Sequence, residues 1–239
     1  MMIKRSPIGH RFNDPAIILG EMNGYSVPLS VSDKEIEIEC TKQLALCDLT
    51  AFNRVGFRGG NISTWAEEQH NIVLPEANRS LKTQQGFIVA RLSHTEILIL
   101  DDIEDQRKGF TSILKKTGHD SLLKYHPDIY YLPRQDSHSC FMLSGEHCAA
   151  MFSKLCAVDL RVSKFSNMSV AQTSMARASV IIIRWDFAET PGYFVLMDSS
   201  LAEYLWNCLL DAMQEFDGKI IGCSTLTYTP IEFVKLLTK

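Results

Sequence analysis

The order of apolar runs between residues 140 and 216 constrains the fold more than any other feature of the sequence. It predicts a strand, a glycine turn, a helix, two further strands and a long helix. Residues 179–185 form the strongest β-branched run in the chain, and residues 192–197 form the next strand. The segment Ser200-Leu201-Ala202-Glu203 fits a capping box and predicts the start of the long helix.

A weaker copy of the same order precedes it. Residues 54–58 predict a strand, and Thr64-Trp65-Ala66-Glu67 is a second possible capping box. Residues 86–92 and 96–100 predict two strands, and a helix is expected from about residue 102 to residue 118. The repetition predicts an α+β protein of two pseudo-symmetric strand-helix-strand-strand-helix halves with mixed or antiparallel sheets. One half alone would leave a face of its sheet bare, so we expect the halves to share one sheet or core.

The stretches of glycine, proline and polar residues between the predicted elements divide the chain into four segments. Residues 1–118 hold an N-terminal arm and the first half, 119–139 a linker, 140–218 the second half and 219–239 a C-terminal extension. Within the arm, residues 17–21 and 25–29 are expected to pair as short strands. Alternating isoleucine and glutamate at 35–40 predicts a half-exposed strand.

Composition excludes several classes of function. The chain has 239 residues and a net charge of −4 with both signs mixed, which disfavours nucleic acid as a partner. No apolar run approaches the roughly 20 residues that span a bilayer, and the first residues lack the pattern of a secretion signal. Seven cysteines, an odd number found mostly inside apolar elements, favour reduced thiols and a cytoplasmic protein.

No motif of established chemistry is present, and we predict neither catalytic residues nor a metal site. The sequence has no P-loop, dinucleotide glycine fingerprint or HExxH motif. Cys148 and Cys156 share a helix face but lie about 12 Å apart along it, too far for one tetrahedral ion. Together with Cys140 they are interpreted as packing thiols, and a catalytic pair with His138 or His147 stays open.

Charged residues offer two further candidates. Asp101-Asp102 and Glu104-Asp105 form an acidic cluster that suits either a cation or the first turn of a helix, and the helix interpretation is favoured. Arg184, at the end of the strongest strand, is placed either to grip a carboxylate or to form a surface ion pair.

Short motifs in a fixed order carry a family resemblance. Those of the first half are Val55-Gly56-Phe57-Arg58-Gly59, Trp65, Leu74-Pro75, Asn78 and Arg91-Leu92-Ser93. Those of the second half are Leu143-Ser144-Gly145, Cys148-Ala149, Asp159-Leu160, Val170-Ala171-Gln172-Thr173, Ala176-Arg177 and Tyr204-Leu205-Trp206. This set resembles the gamma subunit of heterotetrameric sarcosine oxidase, which is similar to the folate-binding part of the glycine cleavage T-protein.

The resemblance implies the T-protein fold and a place for folate. Its implied cleft residues are Asn78, Arg177, Arg184, Glu189 and Tyr193. Phe194 stands where active relatives have the glutamate that holds the pterin, and phenylalanine cannot accept hydrogen bonds from a pterin. The family's catalytic aspartate has no counterpart that we can place.

Two functions follow from the resemblance. The first is a non-catalytic accessory subunit that stabilises a sarcosine-oxidase-like complex, with flavin and NAD on its partner subunits and no cofactor of its own. The N-terminal arm and Tyr130-Tyr131 are its candidate docking surfaces. The second is a free-standing tetrahydrofolate-binding protein or aminomethyltransferase, which could form a homodimer. An iron–sulfur assembly factor is a weaker third candidate, because Ile221-Gly222-Cys223 echoes only part of that signature.

Overall fold

The computed structural model describes residues 3–103, 126–187 and 189–226. The N-terminal strands and helices, up to the end of the first half, are β1 (Lys4–Arg5), β2 (Ile18–Met22), β3 (Tyr25–Ser30), α1 (Lys34–Gln43), β4 (Ala45–Asp48), β5 (Arg54–Arg58), α2 (Ile62–His70), β6 (Arg79–Lys82), β7 (Phe87–Ser93) and β8 (Glu96–Asp101). The remaining ones are β9 (Tyr130–Leu132), α3 (Arg134–Ser137), β10 (His138–Ser144), α4 (Cys148–Phe152), β11 (Val170–Met175), β12 (Ala178–Arg184), β13 (Gly192–Asp198), α5 (Ala202–Met213) and β14 (Lys219–Ile220).

The two predicted halves have the same strand order. The first forms a five-stranded sheet, β6-β7-β8-β5-β9, and the second a six-stranded sheet, β11-β12-β13-β10-β4-β14. In each, the first strand of the half lies beside its last strand, and the two intervening strands extend the sheet outward. The predicted pseudo-symmetric α+β fold is confirmed.

The halves exchange one strand each. β4 precedes the first half in the chain but pairs antiparallel with β10 of the second sheet. β9 precedes the second half but pairs antiparallel with β5 of the first sheet. Each sheet is therefore completed by a strand that leads into the other half, and the two crossing segments hold the halves together.

The halves share a core and not a sheet. Their inner faces pack against each other through Ile88, Ala90 and Leu98 from one sheet and Met142 and Phe194 from the other. The outer face of the six-stranded sheet packs beneath α4 and α5, and that of the five-stranded sheet packs beneath α2. This arrangement buries both faces of each sheet, as an α+β domain requires.

The strand predicted at residues 35–40 is wrong, because these residues lie in helix α1. Asp33 caps this helix by accepting a hydrogen bond of 2.9 Å from the backbone N–H of Glu35. Glu37 is fully buried while Ile36 and Ile38 are exposed, which reverses what the hydrophobicity of these residues indicates. The backbone N–H groups around Glu37 stabilise its buried carboxylate, and this outweighs the strand preference that the alternation of isoleucine and glutamate indicates.

Neither predicted capping box is present. Asp198, rather than Ser200, caps the turn before α5, and its carboxylate accepts a hydrogen bond of 2.9 Å from the backbone N–H of Ser200. Helix α2 begins at Ile62, with Asn61 at the N-cap position, so Thr64 lies inside its first turn. The predicted pairing of residues 17–21 with 25–29 is confirmed, since β2 and β3 are antiparallel.

Some predictions fall outside the described residues. These are most of the helix expected at 102–118 together with Glu104 and Asp105, the first part of the linker, and the end of the C-terminal extension. In the ranges that are described, none of the helices combines the length and apolar character needed to cross a bilayer.

Candidate functional site

Arg184 is held by its own chain. Its Nε and Nη2 atoms donate to the two carboxylate oxygens of Asp186 at 2.9 and 2.6 Å. Its Nη1 donates to the carbonyl oxygens of Val162, at 3.0 Å, and Phe165. The side chain is only 4% exposed. It fastens the loop between α4 and β11 to the sheet, and its bidentate partner is an internal carboxylate.

Tyr193 lies beside Arg184, because β12 and β13 pair these two residues. Its ring is fully buried, its hydroxyl donates to the carbonyl oxygen of Leu160 at 2.9 Å, and burial raises its pKa. Tyr193 belongs to the outer core of the six-stranded sheet, together with Ile182 two residues before Arg184. Both side chains therefore face away from the inner face shared by the halves.

Asn78 joins the two sheets through its backbone. It has a left-handed φ of 63°, a conformation that asparagine tolerates. Its N–H donates to the carbonyl oxygen of Arg91 at 2.7 Å, and its carbonyl accepts from the N–H of Val170 at 2.9 Å. Val170 pairs with Ile183, next to Arg184. Asn78 is thus close to this corner, with its own side chain exposed.

Arg177 lies far from the other predicted site residues. It occupies the turn between β11 and β12, where Ala176 and Arg177 have φ values of 48° and 66°. Seven residues along an extended strand separate it from Arg184, which is about 20 Å. The structure brings Arg184, Tyr193 and the backbone of Asn78 together at one corner and leaves Arg177 at the other end of the hairpin. Glu189 lies in the turn between β12 and β13, five residues after Arg184, and is exposed.

Phe194 lies in the core shared by the halves. It is 1% exposed and pairs with Met142 on one side and Ile183 on the other, both members of the same core. An aromatic ring at this position offers no acceptor to a hydrogen-bond donor. The inner face here is therefore apolar where the resemblance places the anchor for a pterin.

An open cleft lies next to this apolar region. Its volume is about 350 Å³. The residues that line it combine polar groups with an apolar floor: His138, Gln172, Thr173, Ser179, Val180, Ile181 and Leu196. The Gln172 side chain donates to the carbonyl oxygen of Leu92 at 2.7 Å and so ties this cleft to the first sheet.

A chain of polar contacts reaches the cleft from the first half. Arg134 donates from Nη2 to Glu96 at 2.6 Å, and its Nη1 lies 3.0 Å from Nε2 of His138. Because a guanidinium can only donate, Nε2 accepts, and the proton of a neutral imidazole is on Nδ1, 2.9 Å from the hydroxyl of Ser137. Burial, together with the nearby guanidinium groups of Arg134 and Arg54, lowers the pKa of His138 to about 4.

No local sequence pattern indicates this chain of contacts. Glu96 and Arg134 are separated by 38 positions and meet only because β9 crosses to the first sheet. The sequence pattern indicates His138 only as a possible partner for the cysteines. The exchange of strands, which no short pattern encodes, creates the arrangement.

We expect acid to destabilise the protein through His138. Its folded-state pKa lies below the ordinary value of 6.5, so the unfolded chain binds the proton more tightly and stability is lost as the pH falls from about 6.5 to about 4. His138→Gln stays neutral, so its free energy of unfolding should fall by about 1–2 kcal/mol less over this pH range than that of the unaltered chain. Urea denaturation at several pH values between 4 and 7 measures it, and an unchanged slope would contradict the assigned neutral imidazole.

Asp101 and Asp102 lie at the end of β8. One carboxylate oxygen of Asp101 accepts from the backbone N–H of Asn53 at 3.0 Å and from its side-chain amide at 2.8 Å. Burial raises the pKa of Asp101 to about 6 despite these bonds. Asp102 is fully buried and forms an ion pair with Lys82. These two residues are therefore engaged with the first sheet.

The ionisation of Asp101 should change stability with pH in the opposite direction to that of His138. Its folded-state pKa lies above the ordinary value of 3.8, so the folded chain binds the proton more tightly and stability is lost as the pH rises from about 4 to about 6. Asp101→Asn keeps an acceptor for Asn53 and should gain about 1–2 kcal/mol at pH 7 and nothing at pH 4. Denaturation at these two pH values tests it, and a loss at pH 7 would contradict the expectation.

The three evenly spaced cysteines lie on opposite faces of the second sheet. Cys140 belongs to the shared core, whereas Cys148 and Cys156 belong to the outer core. Burial raises the pKa of Cys140 to about 12 and raises that of Cys148 as well, so these thiols stay protonated at neutral pH. Among the residues with a described position, no cluster of three or more His, Cys, Asp or Glu side chains is arranged to hold a metal.

Two solved structures share this fold. The glycine cleavage system aminomethyltransferase T from Bartonella henselae matches with a TM-score of 0.70 and 14% identity, over 94% of this chain and 61% of that chain. A chain of the heterotetrameric sarcosine oxidase from Corynebacterium sp. U-96, solved in complex with pyrrole 2-carboxylate, matches with a TM-score of 0.61 and 20% identity, over 89% of this chain and 96% of that chain. At these identities the likeness shows the fold alone.

The sequence comparisons agree with the fold. The chain spans about three fifths of the length of the aminomethyltransferase. A search of curated proteins finds no match. The family model described as the GCVT N-terminal domain matches residues 78–236 of the 239, about two thirds of the chain. The chain therefore belongs to the GCVT N-terminal domain family.

Proposed function

We propose that this chain is a non-catalytic accessory subunit of a sarcosine-oxidase-like flavoenzyme complex in one-carbon metabolism. Flavin and NAD, and any folate that the complex uses, are held by its partner subunits. The role of this chain is to supply an interface and rigidity. Its two halves, joined by exchanged strands around one core, suit a rigid support.

The observation that carries this proposal is the buried ring of Phe194. A pterin is bound through donors and acceptors on its ring edge, and a carboxylate is the group that pairs with its N–H donors. Phe194 places a ring in the shared core at that position, 1% exposed. Nearby, Arg184 is already occupied by Asp186 and by two carbonyl oxygens. Both features favour a structural role over folate chemistry.

The likeness to the oxidase chain supports assembly with partners. That oxidase is heterotetrameric, and the match extends over 96% of one of its chains. A subunit of such a complex has to present a surface on which other chains dock. The exposed apolar residues of the N-terminal region meet this requirement.

A free-standing folate-binding protein or aminomethyltransferase is the second candidate. The observation in its favour is the open cleft beside Phe194, with His138 and Gln172 above an apolar floor of Ile181 and Leu196. Polar groups above an apolar floor suit a planar ligand of moderate size. In this case the chain would act alone or as a homodimer.

Co-expression with candidate flavoenzyme subunits of the sarcosine oxidase type from the same genome tests the first proposal. We expect the tagged chain to elute from size-exclusion chromatography in a stable complex that contains flavin, and the oxidase activity of that complex to survive heating better than that of the same subunits without this chain. A chain that elutes alone at micromolar concentrations of all subunits would show that the proposal is wrong.

A further inference from the structure

Strand β2 leaves one edge of the N-terminal sheet open. The sheet has the order β1-β3-β2, and in the described part of the chain β2 pairs only with β3. None of the backbone hydrogen bonds given by the described residues outside regular strand pairing reaches residues 18–22. An open edge presents a row of N–H and C=O groups, and its natural partner is another extended segment.

Large apolar side chains are exposed along this edge and on the helix that follows the sheet. Ile18 and Leu19 of β2 are 60% and 45% exposed, and Ile36 and Ile38 of α1 are 57% and 41% exposed. Single exposed apolar residues are common, but Ile18 and Leu19 are adjacent on an open strand edge, which indicates a surface that is covered in the functional state.

Helix α1 and strand β2 both contact the end of strand β3. Ile18 pairs with Ser30 at the end of β3. The carboxylate of Glu37 then accepts hydrogen bonds from the N–H groups of Val31 and Ser32, at 2.6 and 2.8 Å, which fixes α1 against the end of that strand. Helix α1 therefore lies close to this end of the edge, but its two exposed isoleucines flank the buried Glu37 on opposite sides of the helix, about 200° apart, and do not both extend the apolar surface of β2.

The charge of this region indicates the chemistry of its partner. Between residues 13 and 40 the exposed charged side chains are one lysine, Lys34, and five carboxylates: Asp14, Glu21, Asp33, Glu35 and Glu39. The opposite edge of the same sheet, strand β1, is Lys4–Arg5. A partner segment with basic side chains is attracted to the acidic edge at β2 and repelled by the basic edge at β1.

We infer that the open edge of β2 is the docking site for an extended, basic segment of the partner subunit, which adds as a further strand and places apolar side chains on Ile18 and Leu19. This inference rests on the proposed function. Main-chain hydrogen bonds supply part of the affinity, and the alternating side chains supply the specificity.

The test uses the full chain co-expressed with the same candidate flavoenzyme subunits. Hydrogen exchange should show slower exchange at residues 18–22 in the complex than in the free chain. Ile18→Lys, which places a cation against the basic segment and on the apolar contact, should weaken the complex at least tenfold. Val73→Lys is the matched control, since Val73 is 72% exposed on a loop away from this sheet, and it should change the affinity less than twofold.

The outcomes separate this inference from the proposed function. A complex that forms while residues 18–22 exchange freely and Ile18→Lys binds normally would overturn the docking site and leave the accessory role standing. Failure of the unaltered chain to form any complex would overturn both. Self-association of the chain alone that Ile18→Lys abolishes would make a second copy the occupant, and would overturn the assignment to a partner subunit. Melting temperatures of both variants within a few degrees of the unaltered chain confirm that they are folded.

Discussion

Replacing Glu37 by alanine is expected to lower the free energy of unfolding by about 3–5 kcal/mol. One carboxylate oxygen accepts from the N–H groups of Val31 and Ser32 and from the hydroxyl of Ser30, at 2.6, 2.8 and 3.1 Å. The other accepts from the N–H of Gly222, at 2.9 Å, and from the hydroxyl of Thr225. Alanine leaves three backbone donors without this partner in a buried place, and their desolvation is then uncompensated.

Thermal and urea denaturation measure this effect, which corresponds to a fall in melting temperature of roughly 10 °C or more. Glu35→Ala is the matched control, because Glu35 is exposed two positions away on the same helix, and it should change stability by less than about 0.5 kcal/mol. Equal effects of the two substitutions would show that Glu37 does not tie α1 to the segment after β14.

The second large effect is expected at Arg54, which fastens the two crossing segments. Its five N–H groups all donate to backbone carbonyls. Nη1 donates to Thr50 at 2.9 Å and Phe52 at 2.8 Å, on the segment that leads into β5. Nη2 donates to Gln135 at 3.0 Å, and both Nε and Nη2 donate to His138, on the segment that leads into β10.

Arg54→Met retains much of the volume but none of the donors, and should cost about 3–5 kcal/mol because several buried carbonyls lose their partner. Arg58→Met, on the same strand but exposed, is the control and should cost less than about 0.5 kcal/mol. Urea denaturation gives the magnitude, and hydrogen exchange should show faster opening where β4 meets β10 and where β5 meets β9. An Arg54→Met protein as stable as the control would refute the role of this side chain in joining the halves.

The fold was predictable where a strand is buried on both faces. Residues 179–185 and 96–100 are long β-branched or aliphatic runs, and each forms a strand close to its predicted bounds. Their repetition in one chain also predicted two similar halves. The exchange of β4 and β9 was not predictable, because these strands pair with residues in the opposite half and their own sequences are short.

Helix α1 shows why a local pattern fails. Alternating isoleucine and glutamate fits a half-exposed strand, in which the isoleucines would be buried. The protein instead buries Glu37 and exposes Ile36 and Ile38, because the carboxylate satisfies donors from two separate segments of the chain. Such a requirement arises only once the tertiary structure exists.

The candidate site was predictable to a similar extent. Tyr193 and Arg184 are neighbours, as their places on adjacent strands imply, but the bonds that occupy Arg184 involve Val162 and Phe165 of a loop whose path the sequence does not reveal. The polar contacts of His138 depend on the crossing of β9 in the same way.

Titration of the chain alone with a stable reduced folate, such as 5-formyltetrahydrofolate, tests the central claim most directly. That claim is that the inner face of this domain, with Phe194 in its core, lacks the anchor for a pterin. We expect a melting temperature that does not change up to millimolar ligand. A melting temperature that rises with concentration, as mass action requires of a ligand bound to the folded state, would contradict it.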